Sequence, residues 1–125
     1  MKQIFFSLGI VMCLMVSACS KKNDNPGLAS HDIQVNASGT AAYTIKVTTI
    51  KAGSSAAIVA DTKTDITAAY EYHITLDQGD QIIVNISTKT ANLVNYKIYD
   101  NNTVKLQATK EMSTFSSTEA MYIAE

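Results

Sequence analysis

Apolar and polar side chains alternate along most of the chain after His31, with the period of two that is typical of β-strands burying one face. The clearest example covers residues 65–76 and predicts one strand that exposes Glu71 and His73 on its polar side. The positions predicted to face inward are Ile66, Ala68, Tyr70, Tyr72, Ile74 and Leu76. The same alternation predicts further strands at residues 33–35, 41–50, 56–60, 81–88, 94–100, 103–109 and 115–124.

Short segments rich in Gly, Asp, Asn, Ser and Thr separate these strands, and such residues are typical of tight turns. They are residues 38–39, 52–54, 61–64, 77–80 and 100–102. Seven or eight short strands joined by turns predict an all-β domain, a small antiparallel Ig-like β-sandwich. In its last strand we expect Phe115, Met121 and Ile123 to face inward.

The first 30 residues have a different pattern. After Lys2, residues 4–16 form an apolar run of 13 residues, and the small pair Ser17-Ala18 follows. As a helix this run is roughly 20 Å long, short of the ~30 Å hydrocarbon core of a membrane, so it indicates a secretory signal helix and not a membrane span. We therefore predict a signal peptide at residues 1–18, a flexible polar tether at 19–30 and one β-sandwich domain at 31–125.

The residues Val16-Ser17-Ala18-Cys19 resemble the lipobox of bacterial lipoproteins, in which a branched apolar residue and two small residues precede a cysteine. The resemblance implies cleavage before Cys19 and acylation of its sulfur, which anchors the mature chain in a membrane. Ser20 after the cysteine resembles the outer-membrane sorting pattern of proteobacterial lipoproteins, so we expect an outer-membrane protein, with the face it occupies left open. The alternative is an ordinary secretory signal with a chance cysteine.

Composition narrows the classes of function. The other cysteine, Cys13, lies in the predicted signal peptide, so the domain has no cysteine for a disulfide, a zinc site or a nucleophile. Residues 31–125 contain seven lysines, ten acidic residues and no arginine, for a net charge near −3. Because phosphate binding draws on clustered Lys and Arg, a nucleic-acid partner is disfavoured.

Three strand patterns resemble the MmpS-type small membrane-anchored β-sandwich domain: Tyr43-Thr44-Ile45-Lys46-Val47, Ile74-Thr75-Leu76 before Gly79-Asp80, and Tyr96-Lys97-Ile98-Tyr99-Asp100. The resemblance covers most of residues 41–109 and implies a membrane-anchored sandwich. It departs from the family in two places. A lipobox stands where such proteins often have a transmembrane helix, and Asn101-Asn102 replaces a tight Asp-Gly turn.

Few residues suggest chemistry in the domain. Glu71 and His73 share one strand face about 7 Å apart at Cα and form a candidate acid/base or metal pair, although a solvated strand face explains them more simply. Asp77 and Asp80 suggest calcium, but the segment lacks the spacing of a calcium loop and predicts a hairpin turn. Tyr99 is the best of six tyrosines for a sugar or peptide platform, since most of the others lie on apolar faces.

These observations predict a lipid-anchored, non-enzymatic cell-envelope protein without a resident metal or cofactor. Its sandwich binds another envelope protein or a cell-wall component, or contributes structure. One alternative is a small envelope hydrolase or metal-dependent enzyme that uses Glu71 and His73. Another is an inhibitor of a secreted enzyme, which would need a prominent loop.

Overall fold

The computed structural model describes residues 27–125, which form eight β-strands. The strands are β1 Ser30–Gly39, β2 Tyr43–Ile50, β3 Ala57–Ile66, β4 Tyr70–Asp77, β5 Gln81–Thr88, β6 Asn92–Asp100, β7 Thr103–Met112 and β8 Ser116–Ile123. Within this part of the chain no helix is long and apolar enough to cross a bilayer. The predicted signal peptide, Cys19 and the tether up to residue 26 lie outside the described residues.

The strands form two four-stranded antiparallel sheets. Sheet A has the order β4-β1-β6-β7, and sheet B has the order β3-β2-β5-β8. β3 and β4 are edge strands of different sheets, so the connection between them crosses from sheet B to sheet A. At the opposite edges, the connection from β7 to β8 crosses back from sheet A to sheet B. The predicted all-β antiparallel sandwich is therefore confirmed, with eight strands.

The core lies between the two sheets and is made by alternate residues of the central strands. Ile33 and Val35 of β1 belong to it together with Ile45 and Val47 of β2, and all four are 0% exposed. Because side chains alternate across a strand, burying these residues directs their neighbours to the outer face of each sheet. The buried core also includes Ala37, Tyr43, Tyr70, Leu76, Ile82, Val84, Ile86, Val94, Tyr96, Ile98, Met112, Ala120 and Ala124.

The sandwich has two ends, since each strand runs opposite to the strand before it in the chain. We call the end where β1 begins, at Ser30, the proximal end, because the chain from Cys19 reaches the domain there. β2, β4, β6 and β8 finish at the proximal end, and β3, β5 and β7 begin there. The opposite end is called the distal end.

Two boundaries around β3 differ from the prediction. The predicted turn at 61–64 lies inside β3, and the strand predicted at 65–76 is interrupted at residues 67–69, where the chain crosses from sheet B to sheet A. Asp65 has φ 50, which bends the chain out of the strand conformation. β3 is an edge strand exposed on most of both faces, so it lacks the alternation that marks a half-buried strand. In β4, the predicted inward positions from Tyr70 to Leu76 are buried or half-buried.

The predicted orientation of β8 is wrong. Phe115, Met121 and Ile123 are 82%, 54% and 39% exposed. Instead Ala120 and Ala124 are buried, and Tyr122 points between the sheets, where its hydroxyl donates a hydrogen bond to Asp100 of sheet A at 2.7 Å. This hydrogen bond and the pairing of Ala120 with Val84 fix the register that turns the larger apolar residues outward.

The side chain of Asn92, at the distal start of β6, forms hydrogen bonds with the loop between β1 and β2. Its Nδ2 donates to the carbonyls of Ala41 and Ala42 at 2.9 and 3.2 Å. Its Oδ1 accepts from the Ala41 amide at 3.0 Å and from the Thr40 hydroxyl at 3.2 Å. The side chain is 7% exposed, so little water is available to replace these four bonds.

Replacing Asn92 by alanine is expected to lower the free energy of unfolding by about 2–3 kcal/mol, because it leaves backbone groups of the loop without partners. Urea denaturation followed by circular dichroism measures this loss. Asn95→Ala is the matched control, since Asn95 lies on the exposed side of the same strand and its loss is expected to change the free energy by less than about 0.5 kcal/mol. Equal stability of both variants would contradict the role given to Asn92.

Candidate functional site

The outer face of sheet A is polar over most of its area, with Leu93 of β6 as an exposed apolar exception, and we call it the polar face. Register brings residues from distant parts of the chain side by side: Asn36 of β1 pairs with Glu71 of β4 and with Lys97 of β6, while Gln34 pairs with His73 and Tyr99. The polar face is made of Gln34, Asn36, Ser38, Glu71, His73, Asn95, Lys97, Tyr99, Gln107 and Thr109. These side chains project from a backbone that the core holds in place.

Hydrogen bonds within the polar face orient its amides. Gln34 Nε2 donates to Asn36 Oδ1 at 3.1 Å, and the Thr109 hydroxyl donates to Asn95 Oδ1 at 2.5 Å. Among the described residues, Nδ2 of Asn36 and Nδ2 of Asn95 donate no hydrogen bond. Each amide therefore presents donor N–H groups to solvent at a fixed position.

A shallow concavity of about 280 Å³ lies in the distal half of the polar face. Asn36, Glu71, Asn95, Lys97 and Tyr99 contribute to its lining. Glu71 and Lys97 stand on opposite sides of Asn36, two strands apart or roughly 10 Å. The concavity thus combines opposite charges, amides and one aromatic ring, a set of groups suited to a polar ligand.

The structure brings the predicted pair Glu71 and His73 together. His73 Nε2 lies 2.7 Å from Glu71 Oε1, and both side chains are more than half exposed. A carboxylate that holds an imidazole in this way is one part of an acid/base site. The described residues contain no group of three or more His, Cys, Asp or Glu side chains placed to hold a metal ion.

Apart from Tyr122, the tyrosines lie on the faces that the alternation predicts. Tyr43, Tyr70 and Tyr96 are buried in the core, while Tyr99 is half-buried on the polar face. The Tyr70 hydroxyl donates to Asp61 at 2.8 Å, and burial together with this carboxylate raises the pKa of Tyr70. Tyr99 is therefore the tyrosine whose ring is available on the polar face.

Sequence reasoning missed a buried polar cluster at the proximal end. His31 Nδ1 lies 2.9 and 2.8 Å from the two carboxylate oxygens of Asp100, which also accepts the hydrogen bond from Tyr122. His31 is 6% exposed and Asp100 is 3% exposed. The cluster ties β1 and β6 of sheet A to β8 of sheet B. Because 69 residues separate His31 from Asp100, no local motif in the sequence signals it.

Asp80 organises the neighbouring turn. It is 1% exposed and accepts from Lys51 Nζ at 2.6 Å and from the backbone amides of Ala52 and Asp77. Burial alone would raise the pKa of Asp80, but these three donors together lower it below its ordinary value. Residues 77–80 do form a turn, as predicted, but the turn joins β4 of sheet A to β5 of sheet B and is not a hairpin.

The connections between strands are short. Among residues 27–125 the longest is residues 51–56, between β2 and β3.

Comparisons with known proteins find no match in sequence, neither to a family model nor to a curated protein. The lipobox and MmpS-type resemblances thus rest on the residues that carry them.

Proposed function

We propose that this chain is a lipid-anchored cell-envelope protein, held in the outer membrane through Cys19, whose sandwich binds a cell-wall glycan without chemical turnover. The anchor rests on the sequence of residues 1–19. The observation that carries the binding function is the polar face, where amides, hydroxyls and one aromatic ring surround a concavity.

The chemistry of the polar face suits a sugar polymer better than an anion or an apolar ligand. Asn36 and Asn95 offer amide groups that donate and accept, and these match the hydroxyls of a sugar, which do the same. Tyr99 adds an aromatic surface for the C–H face of a sugar ring. Lys97 is balanced by Glu71 across the concavity, so the face has no concentrated positive charge for phosphate groups.

The shape also fits a polymer. The polar face is open and continuous across four strands and is not a deep pocket, so a chain can lie along it and contact several residues at once. The sheet holds these contacts at fixed spacing, which lowers the entropy lost on binding.

Binding to insoluble peptidoglycan tests this proposal. We expect the acylated protein, solubilised in detergent, to cosediment with purified sacculi. We expect Tyr99→Ala to weaken binding about two- to tenfold through the loss of an aromatic contact worth roughly 0.5–1.5 kcal/mol. Glu119→Ala, which changes an exposed residue on the outer face of sheet B, is the matched control and should bind like the wild type. If the wild type stays in the supernatant, or if both variants bind equally, the polar face is not a glycan site.

The hydrogen bond between Glu71 and His73 favours the second candidate, a small hydrolase acting on the same polymer. This candidate requires soluble sugar fragments to be released from the sacculi, and it requires the double variant Glu71→Ala/His73→Ala to abolish that release. Our proposal expects no fragments from the wild type, so the same preparation separates the two functions.

A further inference from the structure

The outer face of sheet B is divided into a polar half and an apolar half. The distal half carries Lys46, Asn85, Ser87, Ser117 and Glu119, as expected for a solvated sheet. In the proximal half, most of the corresponding outward positions are apolar, with Thr48 and Gln81 as the polar exceptions. We call the residues Ile50, Val59, Ile83, Met121 and Ile123 the apolar patch.

Register shows that the apolar patch is contiguous. Thr48 of β2 pairs with Val59 on one side and with Ile83 on the other, and Ile83 pairs with Met121. In the next row Gln81 pairs with both Ile50 and Ile123. Thr48 and Gln81 lie between members of the patch, and Ile83 and Met121 are its one directly paired couple. Because paired strands lie about 4.8 Å apart, the other apolar side chains adjoin along the strands and diagonally across them.

The members of this surface are unusually exposed for large apolar residues. Val59 is 53%, Met121 54% and Ile123 39% exposed. No charged side chain stands among the outward positions of these two rows, where soluble sheets normally place one. A contiguous exposed apolar surface of this kind indicates an interaction site.

The position of the apolar patch indicates what covers it. The chain reaches the domain at the same end, where the Ala29 carbonyl accepts a hydrogen bond from the Gln78 amide at 2.8 Å, three residues before Gln81. Leu28, beside this contact, is 60% exposed. Eleven peptide steps separate Cys19 from Ser30, with a root-mean-square reach of about 20 Å and a full extension of about 40 Å.

An acyl chain on Cys19 therefore keeps a bilayer within reach of the apolar patch at all times. A tethered surface acts at a high effective concentration, so even weak apolar contacts with it are populated. A second protein copy has no such advantage, because nothing among residues 27–125 tethers it near the patch.

We propose that the apolar patch rests on the lipid surface when the protein is anchored through Cys19. This inference depends on the anchor in the proposed function. It has a consequence for the polar face: sheet A lies on the opposite side of the sandwich from sheet B, so docking turns the polar face away from the membrane and toward the cell wall. The sandwich then works as an oriented module with one face for lipid and one for glycan.

Single-cysteine labelling tests the docking, because the domain has no cysteine of its own and acylation blocks Cys19. Met121→Cys and, as the matched control, Gln107→Cys on the polar face are each labelled with an environment-sensitive fluorophore in the acylated full chain. The proteins are reconstituted in phosphatidylcholine vesicles with and without brominated lipid. We expect a blue shift and strong quenching by bromine at position 121, and neither effect at position 107. Because no charged side chain takes part, added salt should leave the quenching unchanged.

A second substitution checks that the apolar residues cause the docking. With the label at Ile123→Cys, adding Met121→Lys should remove most of the quenching, whereas Glu119→Lys, in the polar half of the same strand, should retain it. Circular dichroism confirms that each variant is folded. The labels at 121 and 107 test the docking without any lysine variant.

The outcomes separate docking from anchoring. Palmitate incorporation is measured in the same preparations. If Cys19 carries no palmitate, both the anchor and the docking are wrong. If Cys19 is acylated and position 121 is not quenched, or if both positions are quenched equally, the docking is wrong and the anchor stands. Concentration-dependent energy transfer between labelled copies, without bromine quenching, would show that a second copy covers the apolar patch.

Discussion

Replacing Cys19 by alanine is expected to abolish incorporation of a clickable palmitate and to move the protein from the membrane fraction to the soluble fraction. The expected effect is large because each buried methylene contributes about 0.8 kcal/mol, and two or more acyl chains anchor a protein stably where one chain binds only marginally. Membrane binding should therefore change from nearly complete to nearly absent.

The measurement compares palmitate labelling and cell fractionation of the wild type with those of two variants. Cys13→Ala is the matched control, because Cys13 lies in the predicted signal peptide and its loss should leave labelling and membrane binding unchanged. Equal labelling of wild type and Cys19→Ala, or no labelling of either, would contradict the proposal that a lipid on Cys19 anchors the protein. Loss of labelling in Cys13→Ala, with normal labelling of Cys19→Ala, would show that the lipid is on Cys13 and not on Cys19.

The sequence predicts most of the strands that bury one complete face, although β1 extends well beyond the predicted residues 33–35 and includes the predicted turn at residues 38–39. β2, β5 and β6 begin and end within two residues of their predicted bounds, because Ile45, Ile86 and Ile98 alternate with polar neighbours and are almost fully buried. Around β3 the prediction fails. An edge strand has solvent on most of its surface, so selection for alternation is weak and the residues 61–64 resemble a turn in composition.

The error in β8 has another cause. Phe115, Met121 and Ile123 are more apolar than the residues between them, so local hydrophobicity favours the wrong face. The true orientation depends on Tyr122, whose hydroxyl reaches Asp100 in the opposite sheet. A contact between strands so far apart in sequence is not visible in the alternation of one strand.

In the candidate site too, the sequence predicts what depends on one strand and misses what depends on the pairing of several strands. Glu71 and His73 are two residues apart on one strand, so alternation alone predicts that they share a face, and it also places Tyr99 away from the core. Asn36 and Asn95 come from different strands and meet only through the register of sheet A. The sequence pattern does not predict the apolar patch, because its residues come from four strands of sheet B and each strand contributes only one or two side chains.

Asp100→Ala is expected to lower the free energy of unfolding by about 3–5 kcal/mol, a large part of the 5–15 kcal/mol that is typical of a small domain. Asp100 is 3% exposed and accepts from His31 and from Tyr122. Without the carboxylate, a buried imidazole and a partly buried phenol both lose their partner, and the proximal ends of the two sheets lose the hydrogen bonds between them. Each unpaired buried polar group costs about 1–3 kcal/mol.

The prediction can also be checked by the pH at which the hydroxyl of Tyr122 ionises. Burial and the Asp100 carboxylate raise the pKa of Tyr122 from 10.0 to about 12 in the folded protein. A raised tyrosine pKa means that the hydrogen bond stabilises the fold fully below pH 10, and that this contribution is lost as the pH rises through about 12. In Asp100→Ala the phenolate absorbance assigned to Tyr122, by difference from Tyr122→Phe, should therefore appear at lower pH than in the wild type.

Urea denaturation of three variants distinguishes the loss of the buried hydrogen bonds of Asp100 from the simple loss of a negative charge. Tyr122→Phe removes one hydrogen bond and should cost about 1 kcal/mol, since the ring still fills its place. Asp32→Ala removes an exposed carboxylate from β1 and should change stability by less than about 0.5 kcal/mol. If Asp100→Ala unfolds within about 1 kcal/mol of the wild type, then water replaces the lost carboxylate. The cluster would then not be what holds the proximal ends of the two sheets together.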